Sequence, residues 1–134
     1  MEPKDSTMTS FYQMLGRVFY ATAQADNHVH EKEVATLKQI VKDLWLDVED
    51  ATDEFSSDAA FQIEIVFDYL LENEIVVENV LEDLNEFKSI HTSLFTEKMS
   101  KLIMDTASKI AASFAQSNKS EVVFLSELWL VLKG

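Results

Sequence analysis

The densest set of residues able to do chemistry is Ala25-Asp26-Asn27-His28-Val29-His30-Glu31-Lys32-Glu33. Asp26, His28, His30 and Glu33 offer imidazole and carboxylate ligands, a donor set suited to zinc, nickel or manganese. His30 and Glu33 stand three apart, on one face of a helix start, and Asp26 and His28 can approach from the loop before it. The established metal motifs do not fit. In H-E-x-x-H the second histidine would fall where Val34 stands. An EF-hand counted from Asp26 needs Gly and Glu where Glu31 and Leu37 stand. The plainer reading is a capped helix, with Asp26 accepting backbone N–H groups and Glu31 and Glu33 complementing the helix dipole.

A second candidate is made of charge. Glu74, Glu78, Glu82 and Glu86 step four at a time, as do Glu64, Asp68 and Glu72 before them. Each set is expected to run along one helix face, and like charges so spaced weaken a helix by a few tenths of a kcal/mol per pair, on the order of 0.2–0.5. A solvated face that aids solubility explains them blandly. A docking surface for a basic protein explains them functionally. The wider pattern is consistent with both: the stretch between Lys42 and Lys88 holds fifteen acidic residues and no Lys, Arg or His, in a chain of net charge −13. Duplex nucleic acid and anionic membranes are poor partners for such a chain, because both need clustered cations.

The elements that must position these residues read as helices. Two glycines and one proline in 134 residues are too few for a sheet rich in tight turns. Phe11, Leu15, Val18, Thr22 and Ala25 recur at helical spacing, with Thr9 or Ser10 as the cap. Val34, Leu37, Val41 and Leu44 follow. Ile63, Val66, Phe67, Leu70 and Leu71 form a third stripe, and Val77, Val80, Leu81 and Leu84 a fourth. Thr92 or Thr96 opens a fifth helix through Met99, Leu102, Ile103, Thr106 and Ile110. Val122, Leu125, Leu128, Trp129 and Leu132 make a sixth, whose broad stripe predicts a central place in the core. Trp45, Phe61, Phe67, Phe114, Phe124 and Trp129 are expected to be core, and Tyr12 and Tyr20 to be able to line a groove. His91 is expected at the surface or as a cap. A shift of 88 residues lays the first helix pair on the last: Leu15 on Ile103, Thr22 on Ile110, Glu33-Val34 on Glu121-Val122, and Ile40 on Leu128.

Phe19 through Glu33, with its Ala25-Asp26-Asn27-His28-Val29 centre, resembles the first helix junction of the tellurite-resistance TerB-like family. Ile110-Ala111-Ala112-Ser113 and Glu121-Val122-Val123-Phe124-Leu125 look like a worn second copy. The resemblance spans roughly 9–132 and implies a compact all-helical bundle in a cytoplasmic bacterial protein, often linked to stress or toxic-oxyanion resistance, with no settled activity. Asn27 stands where that family has glycine, and asparagine tolerates the left-handed turn. In the second copy Phe114, Gln116, Asn118 and Lys119 fall opposite Asp26, His28, His30 and Glu31, so an acidic pocket built from both copies does not carry over.

These readings predict an all-α fold, one compact bundle of six or seven helices, with a flexible leader at 1–8 and a single domain over 9–134. With no cysteine, thiolate chemistry and disulfides are excluded. No signal-type segment or apolar run of ~20 residues is present, so the expected compartment is the cytoplasm. The function expected is a non-enzymatic binding module, monomeric or homodimeric, that docks a basic protein through Glu74, Glu78, Glu82 and Glu86. The alternative is divalent-metal binding at Asp26, His28, His30 and Glu33. A hydrolase would need a pocket with a perturbed acid–base pair.

Overall fold

The computed structural model describes residues 5–24, 31–47, 54–114 and 119–133. Six α-helices account for most of them: α1 (Asp5–Gln24), α2 (Glu31–Asp47), α3 (Glu54–Glu72), α4 (Val80–Ile90), α5 (Glu97–Phe114) and α6 (Lys119–Lys133). A short 3-10 turn, Thr92–Leu94, joins α4 to α5. No strand occurs among the described residues, and the all-helical expectation holds. Among them, no helix is long and apolar enough to cross a membrane.

α1 starts at Asp5, so the stretch expected to be a leader is helical from that residue onward. The helix is the centre of the fold. Phe11, Tyr12, Leu15, Val18, Phe19, Tyr20, Ala21 and Ala23 are all buried, around more than one face. Its charged side chains are Asp5 and Arg17, so burying most of its surface costs little desolvation. α1 and α2 each pack against both α3 and α5, a bundle in which α3 and α5 hold opposite corners. α4 and α6 pack on one another and on α1, and α6 also covers part of α5.

The buried faces follow the apolar periods. Leu37, Val41 and Trp45 face inward from α2, Ile63, Phe67 and Leu70 from α3, and Ile103, Ala107 and Ile110 from α5. Aromatic rings knit the centre: Phe11 stacks on Phe87 at 5.8 Å and meets Phe95 edge-on at 5.1 Å, while Trp45 takes Tyr12 and Phe19 edge-on. Thr96 caps α5, its Oγ1 accepting the Met99 N–H at 3.1 Å. The Lys88 ammonium on α4 donates to the Val131 and Leu132 carbonyls at 3.0 and 2.9 Å, a cation placed where the α6 dipole is negative.

Four expectations are corrected. α6 is peripheral: Leu128 and Leu132 are buried, but Trp129 is 51% and Leu130 65% exposed. Phe61, expected in the core, is 60% exposed, because it points away from Ile63 and Phe67 on the opposite side of α3. Tyr12 and Tyr20, expected to be able to line a groove, are buried against Trp45 and Phe67 respectively. The run from Glu74 to Glu86 is not one helix, as set out below. Phe114 contributes no described side chain. Shifted by 88 residues, the start of α2 falls on that of α6, and Leu15 and Ile103, Thr22 and Ile110, and Ile40 and Leu128 are buried pairwise. Val41 and Trp129 part company, one buried and one half-exposed.

Candidate functional site

The acidic surface is built around a helix stop. α3 ends at Glu72, where the Glu74 N–H donates to the Leu71 carbonyl and the Ile75 N–H to the Leu70 carbonyl, at 3.1 and 3.0 Å. This is the Schellman arrangement, and it needs a left-handed residue at Glu74, whose φ is 49°. The chain then leaves regular secondary structure over 75–78 until Asn79, also left-handed at φ 57°, opens α4. The β-branched Ile75-Val76-Val77 is held by one side chain. Gln24, at the end of α1, donates from Nε2 to the Ile75 carbonyl at 3.1 Å and accepts the Val77 N–H on Oε1 at 2.9 Å.

The four glutamates therefore sit on three different pieces of backbone. Glu74 is in the turn, Glu78 in the irregular segment 75–78, and only Glu82 and Glu86 share α4. The expectation of one helical stripe is corrected on this point: the Schellman stop and the Gln24 clamp interrupt the helix between them. All four are exposed. The second stripe holds, because Glu64, Asp68 and Glu72 all lie on α3. The cations that reach this surface come from other helices. Arg17 on α1 donates to Asp83 at 2.7 Å, and Lys38 on α2 contacts both carboxylate oxygens of Asp68 at 2.8 and 3.0 Å. Among the described residues, Glu72, Glu74, Glu78, Glu82 and Glu86 make no ion pair.

A groove of about 370 Å³ opens beside these acids, between the end of α1, the segment 75–78, α4 and α6. Ala21, Val77, Val80 and Leu81 form much of its lining, and Phe124 of α6 closes one side. Val76 and the carboxylates of Glu82 and Glu127 stand at its rim, exposed. The groove thus brings apolar and polar side chains together, with one wall held by Gln24 and two carboxylates that make no ion pair among the described residues. Such a shape suits an apolar side chain whose neighbours are cationic. Gln24, Val76, Phe124 and Glu127 were not foreseen as site residues. The β-branched run at 75–77 is the one local signal that could have pointed there.

Of the histidine and carboxylate cluster, Asp26, His28 and His30 lie outside the described residues, as does the side chain of Glu33. Among the described residues, no group of three or more His, Cys, Asp or Glu side chains is placed to hold a metal ion. His91 caps α4, its N–H donating to the Phe87 carbonyl at 2.9 Å and its ring resting on Phe87 at 4.6 Å. Burial raises the Tyr20 hydroxyl above the ordinary tyrosine pKa. No protein-family model, curated protein or solved structure matches the chain.

Proposed function

We propose that this chain is a non-enzymatic protein-interaction module that captures a basic segment, using the acidic surface to attract it and the groove to hold it. One observation carries the reading: a groove lined by Val77, Val80, Leu81 and Phe124 together with Glu82 and Glu127, on a surface where, among the described residues, Glu72, Glu74, Glu78, Glu82 and Glu86 make no ion pair. The resemblance of residues 19–33 to TerB-like proteins supports a stress-response setting. The common register of the two helical hairpins supports the likeness.

The two parts act differently. Exposed ion pairs contribute little each, roughly 0.2–1 kcal/mol, and mainly raise the rate of encounter. An apolar anchor buried in the groove adds about 1.5–3 kcal/mol. Together, two such pairs and one anchor sum to roughly 2–5 kcal/mol, which places the dissociation constant for a short peptide in the millimolar range.

The test is fluorescence anisotropy with a labelled peptide bearing one leucine between lysine pairs. Binding should tighten as salt is lowered, weaken about fivefold in Glu82→Gln/Glu127→Gln, and fail when the leucine becomes serine. Affinity indifferent to salt and to those two substitutions would reject the proposal.

A further inference from the structure

The wall of the groove carries an open backbone edge. The Ile75 carbonyl accepts from Gln24 Nε2 and the Val77 N–H donates to Gln24 Oε1, so both backbone groups point at one side-chain amide. No peptide bond among the described residues is cis, and in a planar trans peptide the C=O and the N–H point in opposite directions. The Val76 N–H shares a peptide with the Ile75 carbonyl. The Val76 C=O shares one with the Val77 N–H. Both Val76 groups therefore point away from Gln24, on the same side of the chain. Among the described residues they make no hydrogen bond, and Val76 is 61% exposed at the groove.

This edge is held before any ligand arrives. Gln24 fixes its back, and the left-handed residues Glu74 and Asn79 turn the chain at either end. A preordered edge costs a ligand little to use. Ile75-Val76-Val77 is also of the β-branched type favoured in paired strands, yet the described residues include no strand to pair with it. We propose that the basic segment taken by the groove binds as an added strand, its backbone exchanging N–H and C=O bonds with Val76 in both directions. The added strand rests on the binding role proposed above and specifies the form of the partner, an extended chain. An α-helical ligand has its N–H and C=O groups bonded within itself. A residue of an extended chain turns both to one side, as Val76 does, and the two residues form the hydrogen-bonded pair of an antiparallel ladder. The residues immediately either side of it turn theirs away.

The test uses the peptide with one leucine between lysine pairs, N-methylated on its backbone at each residue in turn, against the full chain labelled with nitrogen-15. One position should weaken binding by about tenfold when methylated, while methylation of the residues beside it is tolerated. Titration with the unmethylated peptide should move the Val76 amide proton downfield. The Val77 amide proton, already bonded to Gln24, should move far less. Suppose instead that the unmethylated peptide binds in a salt-dependent way but methylation is tolerated at every position, or the Val76 amide proton does not move downfield. Either result would overturn the added strand and leave the binding role standing. No binding of the unmethylated peptide would remove the binding role itself, and the added strand with it.

Discussion

Gly16 and Val66 stand where α1 and α3 pass at close quarters: a Cβ added to Gly16 would lie 2.9 Å from the Val66 Cβ and 3.3 Å from the Ile63 carbonyl oxygen. Alanine within a helix is normally worth about 1 kcal/mol over glycine. Here the new methyl meets a branched carbon fixed to the backbone, so the two helices must separate, at about 1–3 kcal/mol. Gly16→Ala is therefore expected to destabilise the fold by up to about 2 kcal/mol, the difference of those terms. Val66→Ala beside it should restore part of the loss, giving a non-additive double-mutant cycle in urea unfolding. A Gly16→Ala protein more stable than the parent would show that the helices do not meet this closely.

Trp45 and Thr106 join α2 to α5 in the interior. The indole N–H donates to the Thr106 Oγ1 at 3.1 Å, and that hydroxyl donates to the Leu102 carbonyl at 2.7 Å. Thr106→Val keeps the shape but removes the acceptor, leaving a buried indole N–H without its partner. The expected cost is about 1–3 kcal/mol, read from chemical unfolding followed by tryptophan emission. An unchanged midpoint would mean that the indole finds another acceptor.

How much of this was legible in the sequence depends on what set each feature. The helices followed from apolar residues at the 3.6 period; of the two caps expected for the fifth helix, Thr92 or Thr96, it is Thr96 that caps α5, whereas Thr9 and Ser10, expected to cap the first, lie inside α1. Periodicity says that a face is apolar, not that anything lies against it. α3 carries two apolar stripes on opposite sides, and packing alone buries Ile63 and Phe67 while leaving Phe61 and Ile65 exposed. The same ambiguity put α6 at the centre when α1 belongs there. The wall of the groove was hidden for another reason. Gln24 clamps a segment some fifty residues away, and no local pattern encodes a contact at that separation.

Tyr20 links burial to pH. It is buried, packs against Phe67, and has its pKa raised above 10 by desolvation. The folded state thus holds this proton to higher pH than the unfolded chain does. Stability from this group is complete below pH 10 and falls as pH rises through the folded value. Alkaline unfolding should steepen above pH 10 for the parent and flatten in Tyr20→Phe. Equal slopes in the two proteins would show that Tyr20 ionises as freely in the fold as outside it.

Glu74 occupies a backbone position that favours glycine. At φ 49° it completes the Schellman stop of α3, and a left-handed residue with a Cβ costs roughly 1–2 kcal/mol. Glycine removes that cost but gains freedom in the unfolded chain, which takes back about 0.4–1 kcal/mol. Glu74→Gly is therefore expected to stabilise the protein by about 0.5–1 kcal/mol, from the difference of those terms. Glu74→Ala keeps the Cβ and should bring no such gain, which separates backbone strain from loss of charge. Thermal unfolding of the three proteins decides the matter: if alanine stabilises as much as glycine does, repulsion among the neighbouring acids, and not the turn, is what burdens this position.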